Sequence, residues 1–187
     1  MRRNMLMLLF VVAALLPGLS AGAYAFDGID ANVEYWAGSG SNEALCVVDF
    51  GAASYSFGYR WDTGVPTGFS MIQAIADEGA LDLDIGSFSY GKYVNGITYG
   101  SDSYIGCGDG YDDWWHYWIS DDGSNWQQPW TYGAAGRNLS NGCWDAWSYG
   151  SAAAPDVPTV PEPTCVFALT SLFGLAASRR LLRRSGK

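Results

Sequence analysis

The spacing of apolar residues predicts two strands early in the body of the chain. Residues 45–48 are all apolar, which predicts a central strand buried on both faces. From Ser54 to Trp61 apolar and polar residues alternate strictly, which predicts a half-buried strand. One face of that strand would carry four aromatic residues: Tyr55, Phe57, Tyr59 and Trp61.

A single amphipathic helix is predicted next. Thr67 is placed to cap its first turn, and Gly79 to end it. Apolar residues at three- and four-residue spacing would share its buried face: Phe69, Ile72, Ile75 and Ala76.

The later part of the body again has strand character, in residues 87–99, 114–120 and 144–149. Asn95-Gly96, a dipeptide typical of turns, would divide the first of these stretches. An Asp-Gly sequence after residue 120 predicts a hairpin-type connection to Trp126.

Strands, one helix and more strands together predict an α+β domain over residues 26–153. In such a domain the helix packs on a mainly antiparallel sheet. A β-sandwich or jelly roll is the alternative, against which the clear helix argues. Two hydrophobic helices are expected to flank the domain, one at each end of the chain.

The N-terminus has the order of a secretory signal peptide over residues 1–25. Two arginines precede an apolar run, and the small residues Ala23 and Ala25 supply a cleavage site. Cleavage there would make Phe26 the first residue of an exported chain, outside the reducing cytoplasm.

A second three-part signal ends the chain. Residues 154–163 form a Pro-rich linker, and the uncharged stretch 164–178 opens a hydrophobic helix that continues to residue 187. As a helix the uncharged stretch would be about 22 Å long, shorter than the ~30 Å core of a bilayer. Four arginines follow and would stay on the cytoplasmic side: Arg179, Arg180, Arg183 and Arg184.

The tetrapeptide Val160-Pro161-Glu162-Pro163 lies just before that uncharged stretch. With the stretch and the arginines, it resembles the PEP-CTERM sorting signal of Gram-negative bacteria over about the last 28 residues. The resemblance implies an exosortase-type membrane peptidase and the export machinery as partners. It also implies passage through the inner membrane and delivery to the cell surface or extracellular matrix. A plain C-terminal membrane anchor is the alternative.

Parts of the body resemble the transcobalamin C-terminal type of β-grasp domain, in residues 91–97, 115–123 and 141–147. The resemblance implies a small β-grasp-like fold. Asp122-Gly123 stands where that family has Asn-Gly, which argues against its corrinoid ligand.

Charge is distributed unevenly along the chain, whose formal net charge is -9. Between residues 26 and 160 the only basic residues are Arg60, Lys92 and Arg137, against 18 acidic ones. Nucleic acid is therefore excluded as a partner, because phosphate contacts need clustered lysine and arginine.

We expect no enzyme. The only histidine, His116, lies in an aromatic strand, and no serine occupies a G-x-S-x-G turn. Calcium is the one candidate cofactor, since Asp109, Asp112 and Asp121 offer oxygen ligands in Gly-rich loops. These aspartates lie in two loops, residues 109–113 and residues 121–125. Neither loop has the complete EF-hand spacing.

Three cysteines lie in the body of the exported chain. Cys107 and Cys143, both beside glycines in loops, are the predicted disulfide pair. Cys46, in the buried strand, would then be a free thiol.

Tryptophan is the remaining functional signal, with nine residues between Trp36 and Trp147. By alternation Trp114, His116 and Trp118 share one face of their strand, which we expect to be the more exposed. We predict an exported, non-catalytic surface or matrix protein. The alternative is a carbohydrate- or small-ligand-binding module, with exopolysaccharide as a candidate partner, and a glycan hydrolase comes third.

Overall fold

The structure of the protein is a computed structural model that describes residues 23–26, 29–89, 91–106, 114–150 and 153–159. This part of the chain contains nine strands, one α-helix and one 3₁₀ turn. In chain order they are β1 (Ala23–Phe26), β2 (Ile29–Gly38), β3 (Asn42–Asp49), β4 (Ser54–Trp61), α1 (Gly68–Glu78), β5 (Asp82–Phe88), β6 (Gly91–Tyr99), β7 (Asp102–Ile105), β8 (Trp115–Ser120), the 3₁₀ turn Ala134–Gly136 and β9 (Trp144–Tyr149).

Two sheets organise these strands. The large sheet has six strands in the order β1-β2-β4-β3-β9-β8, and the small one has three, β5-β6-β7. Pairing is antiparallel except between β2 and β4 and between β3 and β9, which are parallel. A mainly β domain with one helix is therefore confirmed. The predicted terminal hydrophobic helices lie outside the described residues.

The main core lies between the large sheet on one side and α1 with the small sheet on the other. Both faces of strand β3 are apolar because each face packs into a core. Cys46 and Val48 point into this core, whereas Leu45 and Val47 point to the opposite face, and all four are completely buried. The predicted central strand is confirmed.

The opposite face of the large sheet is covered by single side chains and loops rather than by a further layer. Trp36, Trp126 and Val157 pack there against a smaller core around Trp144. This cover also corrects the prediction for β4, whose second face is not open. Ser56 is completely buried, and a Cβ on Gly58 would lie 2.2 Å from the Trp36 ring.

Helix α1 begins and ends where the sequence predicts. The Thr67 side chain accepts a hydrogen bond from the Ser70 amide at 3.2 Å, and the Ser70 hydroxyl accepts one from the Thr67 amide at 2.8 Å. This reciprocal capping satisfies two amide groups that a helix start leaves unpaired. Gly79 is the C-cap, and the predicted apolar face contacts the main core through Ile72 and Ile75.

The turn predicted at Asn95-Gly96 is wrong, because both residues lie inside β6. The chain reverses instead between β5 and β6, where Phe88 pairs with Gly91. Gly96 is needed for close approach rather than for a turn, since a Cβ there would lie 2.9 Å from a side-chain carbon of Ile105 on β7.

Residues 154–159, which were predicted as part of a linker, contact the large sheet. The Asn32 amide donates to the Pro158 carbonyl at 2.8 Å, and the Asp156 amide donates to Asp49 at 3.0 Å. Pro155 is buried. In the described part of the chain, no helix is both long enough and apolar enough to cross a membrane.

Candidate functional site

A cavity of about 230 Å³ opens between the first turn of α1, the β5–β6 hairpin and the β8 edge of the large sheet. Its wall is mainly aromatic and draws on α1, β5, β6, β8, β9 and the 3₁₀ turn. The aromatic residues include Phe88, Tyr93, Trp114, Trp115, Tyr117 and Trp147.

The rings of this wall hold one another in place. Phe88 and Tyr93 stack with their ring centroids 4.6 Å apart, and Tyr117 lies 4.9 Å from Trp147. Trp115 is fixed by its indole N–H, which donates to the Tyr104 carbonyl at 3.3 Å. The cavity is therefore formed before any ligand arrives.

Two large side chains stand exposed at the mouth of the cavity. Trp114 is 44% exposed and Phe88 is 49% exposed, and both line the cavity. Exposed aromatic faces beside a concave apolar wall are typical of sites that bind flat ligands.

The polar groups of the cavity come from β6. Lys92 and Asn95 both line it, and the Asn95 amide is anchored by donating to the Asp84 carboxylate at 2.5 Å. Among the described lining residues there is no aspartate, glutamate or histidine.

A buried polar cluster supports the wall from below. The Tyr117 hydroxyl donates to Oδ2 of Asp145 at 2.5 Å, and Asp145 is completely buried. Arg137 approaches the other oxygen of Asp145 at 3.6 Å and reaches the exposed Asp121 at 3.0 Å. Gly68 makes room for this cluster, since a Cβ there would lie 2.2 Å from Asp145.

The proton positions in this cluster follow from burial. Burial raises the pKa of Asp145 to about 6, against the lowering effects of the Tyr117 hydrogen bond and the Arg137 charge. Burial and the neighbouring carboxylate raise the pKa of Tyr117. Tyr117 therefore keeps its proton and stays locked as a donor, so the cluster fixes the wall and Asp145 itself does not line the cavity.

A second cavity, of about 210 Å³, lies at the far end of β8 and is polar. It is lined by Asp121, Asp122, Asn125 and Arg137, among others. The Asp122 carboxylate is already used by its own loop, accepting from the amides of Ser124 and Asn125 at 2.9 and 2.8 Å. These hydrogen bonds hold the pKa of Asp122 well below its usual range.

Of the calcium candidates, the structure describes only Asp121, which pairs with Arg137. Asp109 and Asp112 lie outside the described residues. In the described ranges no three acidic, histidine or cysteine side chains come together as metal ligands. A calcium site stays a prediction.

The predicted exposed face of β8 is wrong for two of its three residues. Trp114 is exposed, whereas His116 and Trp118 are each only 8% exposed. The chain after β8 turns back and pairs with the edge of the strand through reciprocal backbone hydrogen bonds of 2.9 Å between Ile119 and Gln127, and Trp126 packs against the smaller core that contains Trp118. Trp118 is also held by its indole N–H, which donates to Ser148 at 2.8 Å. Trp118 and His116 are therefore core residues.

The opposite face of β8 packs inward. Trp115 and Tyr117 pack toward the main core on the side of α1. They also line the cavity, so most of the aromatic site that β8 contributes lies on the face opposite to the one expected to be exposed.

The remaining predicted site residues fall in three groups. Cys143 is buried and free, as is Cys46, while its predicted disulfide partner Cys107 lies outside the described residues. The predicted signal-cleavage residues lie in β1: Ala23, Ala25 and Phe26. The whole sorting motif lies outside the described residues: Val160, Pro161, Glu162, Pro163, Arg179, Arg180, Arg183 and Arg184.

Sequence reasoning missed Phe88, Lys92 and Tyr93 as site residues. The hairpin that carries them was not predicted, because the turn was placed at Asn95-Gly96. One signal was available: Lys92 is one of only three basic residues in an acidic body, and it lies between aromatic residues.

Comparisons with protein-family models, with curated proteins and with solved structures find no match to this chain.

Proposed function

We propose that the protein is an exported, non-catalytic protein of the cell surface or extracellular matrix whose β domain binds carbohydrate in the aromatic cavity. The observation that carries the proposal is the open, aromatic-walled cavity at whose mouth Trp114 and Phe88 stand exposed. Sugar rings present flat apolar faces that pack on such side chains, while their hydroxyl groups need only a few polar partners.

The size of the cavity limits the ligand. At about 230 Å³ it is smaller than the ~300–1,000 Å³ of sites for drug-sized molecules. It suits one or two sugar rings, such as the end of a polysaccharide chain, better than a long internal stretch.

The side chains that line the cavity favour binding of a sugar over its hydrolysis. Glycoside hydrolases place two carboxyl groups about 5–10 Å apart on either side of the scissile bond. The described lining offers aromatic, aliphatic and amide groups and one lysine, and Asp145 is sealed beneath Tyr117.

The two terminal segments support the export part of the proposal. The signal-peptide pattern of residues 1–25 and the PEP-CTERM-like end are its support, with an exosortase-type peptidase as the processing partner. The acidic domain would then meet exopolysaccharide outside the inner membrane. The scaffold needs only to be mainly β, and a β-grasp arrangement is not required.

The test compares two exposed tryptophans. We expect Trp114→Ala to weaken binding to glycans roughly tenfold, because it removes a stacking surface at the cavity mouth. Trp130→Ala is the matched control, since Trp130 is 81% exposed and does not line the cavity. A glycan array followed by calorimetric titration measures both, and thermal unfolding checks that each variant is folded. Equal binding by the two variants, or no glycan bound by the wild type, contradicts the proposal.

A further inference from the structure

The three cations of the acidic body have different surroundings. Arg60 pairs with Glu43 at 3.0 Å and lies over the Trp36 ring at 4.1 Å. Arg137 is held by Asp121 and Asp145. Lys92 forms no ion pair with any carboxylate in the described part of the chain, and it lines the aromatic cavity.

This placement runs against the charge of the domain. With 18 acidic residues between residues 26 and 160, a lysine in this body would be expected to find a carboxylate. Instead it is exposed on β6 beside the stacked pair of Phe88 and Tyr93. A lysine can lay its aliphatic stem along such rings and keep its ammonium group at the cavity mouth.

We infer that the cavity takes a sugar that carries a carboxylate, a uronic acid residue at the end of an acidic polysaccharide. The sugar ring packs against Trp114, and its carboxylate pairs with the ammonium group of Lys92. The inference rests on the proposed function, because it names the ligand class of the same cavity.

The number of cations favours a carboxylate over a phosphate. One ammonium group matches a single negative charge, whereas phosphate sites commonly add an arginine fork or several backbone amides. The acidic body also repels a polyanion at long range, so a chain end is favoured over an extended stretch of acidic polymer.

The experiment uses calorimetric titration of the full chain in detergent at pH 7. The probes are a glucuronic acid disaccharide, the matching glucose disaccharide, and benzoate as an aromatic carboxylate that is not a sugar. We expect the acidic disaccharide to bind roughly two- to fivefold more tightly than the neutral one, the range of a solvent-accessible charge pair. Benzoate should bind more weakly than the acidic disaccharide.

Two lysine variants separate charge from shape. Lys92→Met keeps a long apolar stem and should abolish the preference for the acidic sugar, while Lys92→Arg should preserve it. Trp114→Ala should weaken both sugars alike, since it removes the shared stacking surface.

Each adverse result has a distinct meaning. Equal binding of the two disaccharides, or a preference unchanged in Lys92→Met, overturns the inference and leaves carbohydrate binding intact. Benzoate binding more tightly than the acidic sugar overturns the choice of a sugar acid. Failure of both sugars to bind, on the array as well as in titration, overturns the proposed function itself.

Discussion

At the scale of single residues, Asp145 is the most unusual group in the described domain. It is a completely buried carboxyl on β9, held by the Tyr117 hydroxyl on one side and by Arg137 at 3.6 Å on the other. That second distance is too long for a hydrogen bond, so Oδ1 of Asp145 lacks a hydrogen-bond partner among the described residues. A carboxyl in this position costs stability when it ionises, and it serves to hold Tyr117 in the cavity wall.

The pH dependence of unfolding tests this interpretation. Burial raises the pKa of Asp145 from 3.8 to about 6 in the folded chain, so the folded chain binds the proton more tightly than the unfolded chain does. The stabilising effect of the proton is complete below about pH 4 and is lost as the pH rises through 6. We expect wild type to lose about 2–3 kcal/mol of unfolding free energy relative to Asp145→Asn between pH 4 and pH 7. Denaturant titrations at each pH measure the difference.

Asp121→Asn is the control for that measurement. It removes the exposed carboxylate that pairs with the same arginine, at 3.0 Å, and leaves the buried one in place. Because this variant keeps Asp145, it should still lose unfolding free energy relative to Asp145→Asn between pH 4 and pH 7. If the wild type and Asp145→Asn instead differ by the same free energy at pH 4 and pH 7, burial does not raise the pKa of Asp145.

At the scale of elements, the segment of residues 153–159 belongs to the fold although its composition is that of a linker. Val157 packs on the smaller core, and Ala31 of β2 forms a bridge with Thr159. The Ser54 hydroxyl donates to the Asp156 carbonyl, which adds a contact beside β4. Proline suits this position because the segment runs along the sheet without needing every amide as a donor.

Two truncated chains test the role of this segment. A chain of residues 26–153 should unfold with about 2–4 kcal/mol less free energy than one of residues 26–159, because it loses the hydrogen bonds to Asn32 and Asp49 and the packing of Val157. Urea unfolding followed by tryptophan fluorescence measures it. Identical midpoints for the two chains would show that residues 154–159 add nothing to the domain.

At the scale of the whole molecule, the two predicted processing signals approach the same place in the sheet. Ala31 of β2 pairs with Tyr24 on one side and with Thr159 on the other. The predicted signal-cleavage site therefore lies in β1, and the predicted sorting motif begins directly after the last described residue of the docked segment. Cleavage after Ala25 would remove most of β1 and leave β2 at the edge of the sheet.

Intact-mass measurement on protein taken from the outer surface tests the processing. We expect a mature chain that begins at Phe26 and lacks most residues after Pro163, because both ends carry the pattern of a cleavable signal. The unprocessed chain expressed without a peptidase supplies the reference mass. A surface protein that still carries its arginine-rich end would make the C-terminus a permanent anchor.

The local pattern of apolar and polar residues was sufficient to predict the elements whose structure depends mainly on their own residues. The four apolar residues at 45–48 predict β3, and the alternation of aromatic residues predicts β4, because a strand can bury one or both of its faces in only these ways. Helix α1 was predicted from cap to end, since Thr67 and Ser70 satisfy each other's amides within one turn. Strand β2 was missed, because Glu34 and Asn32 interrupt its apolar residues.

Tertiary structure alone decided which aromatic residues are available to a ligand. The alternation in β8 and the hairpin-type return to Trp126 were both predicted from local pattern. Which face stays open depends instead on the packing of Trp126 with Trp118 and Trp144 in the smaller core, which joins residues from separate strands. Gly96 illustrates the same limit: its sequence context is that of a turn, and the neighbouring Ile105 makes it part of a strand. The sequence determined β3, β4, β8, β9, the helix and the acidic charge, because these depend on near neighbours. The cavity, with Lys92 in its lining, arises only where elements distant in the chain meet.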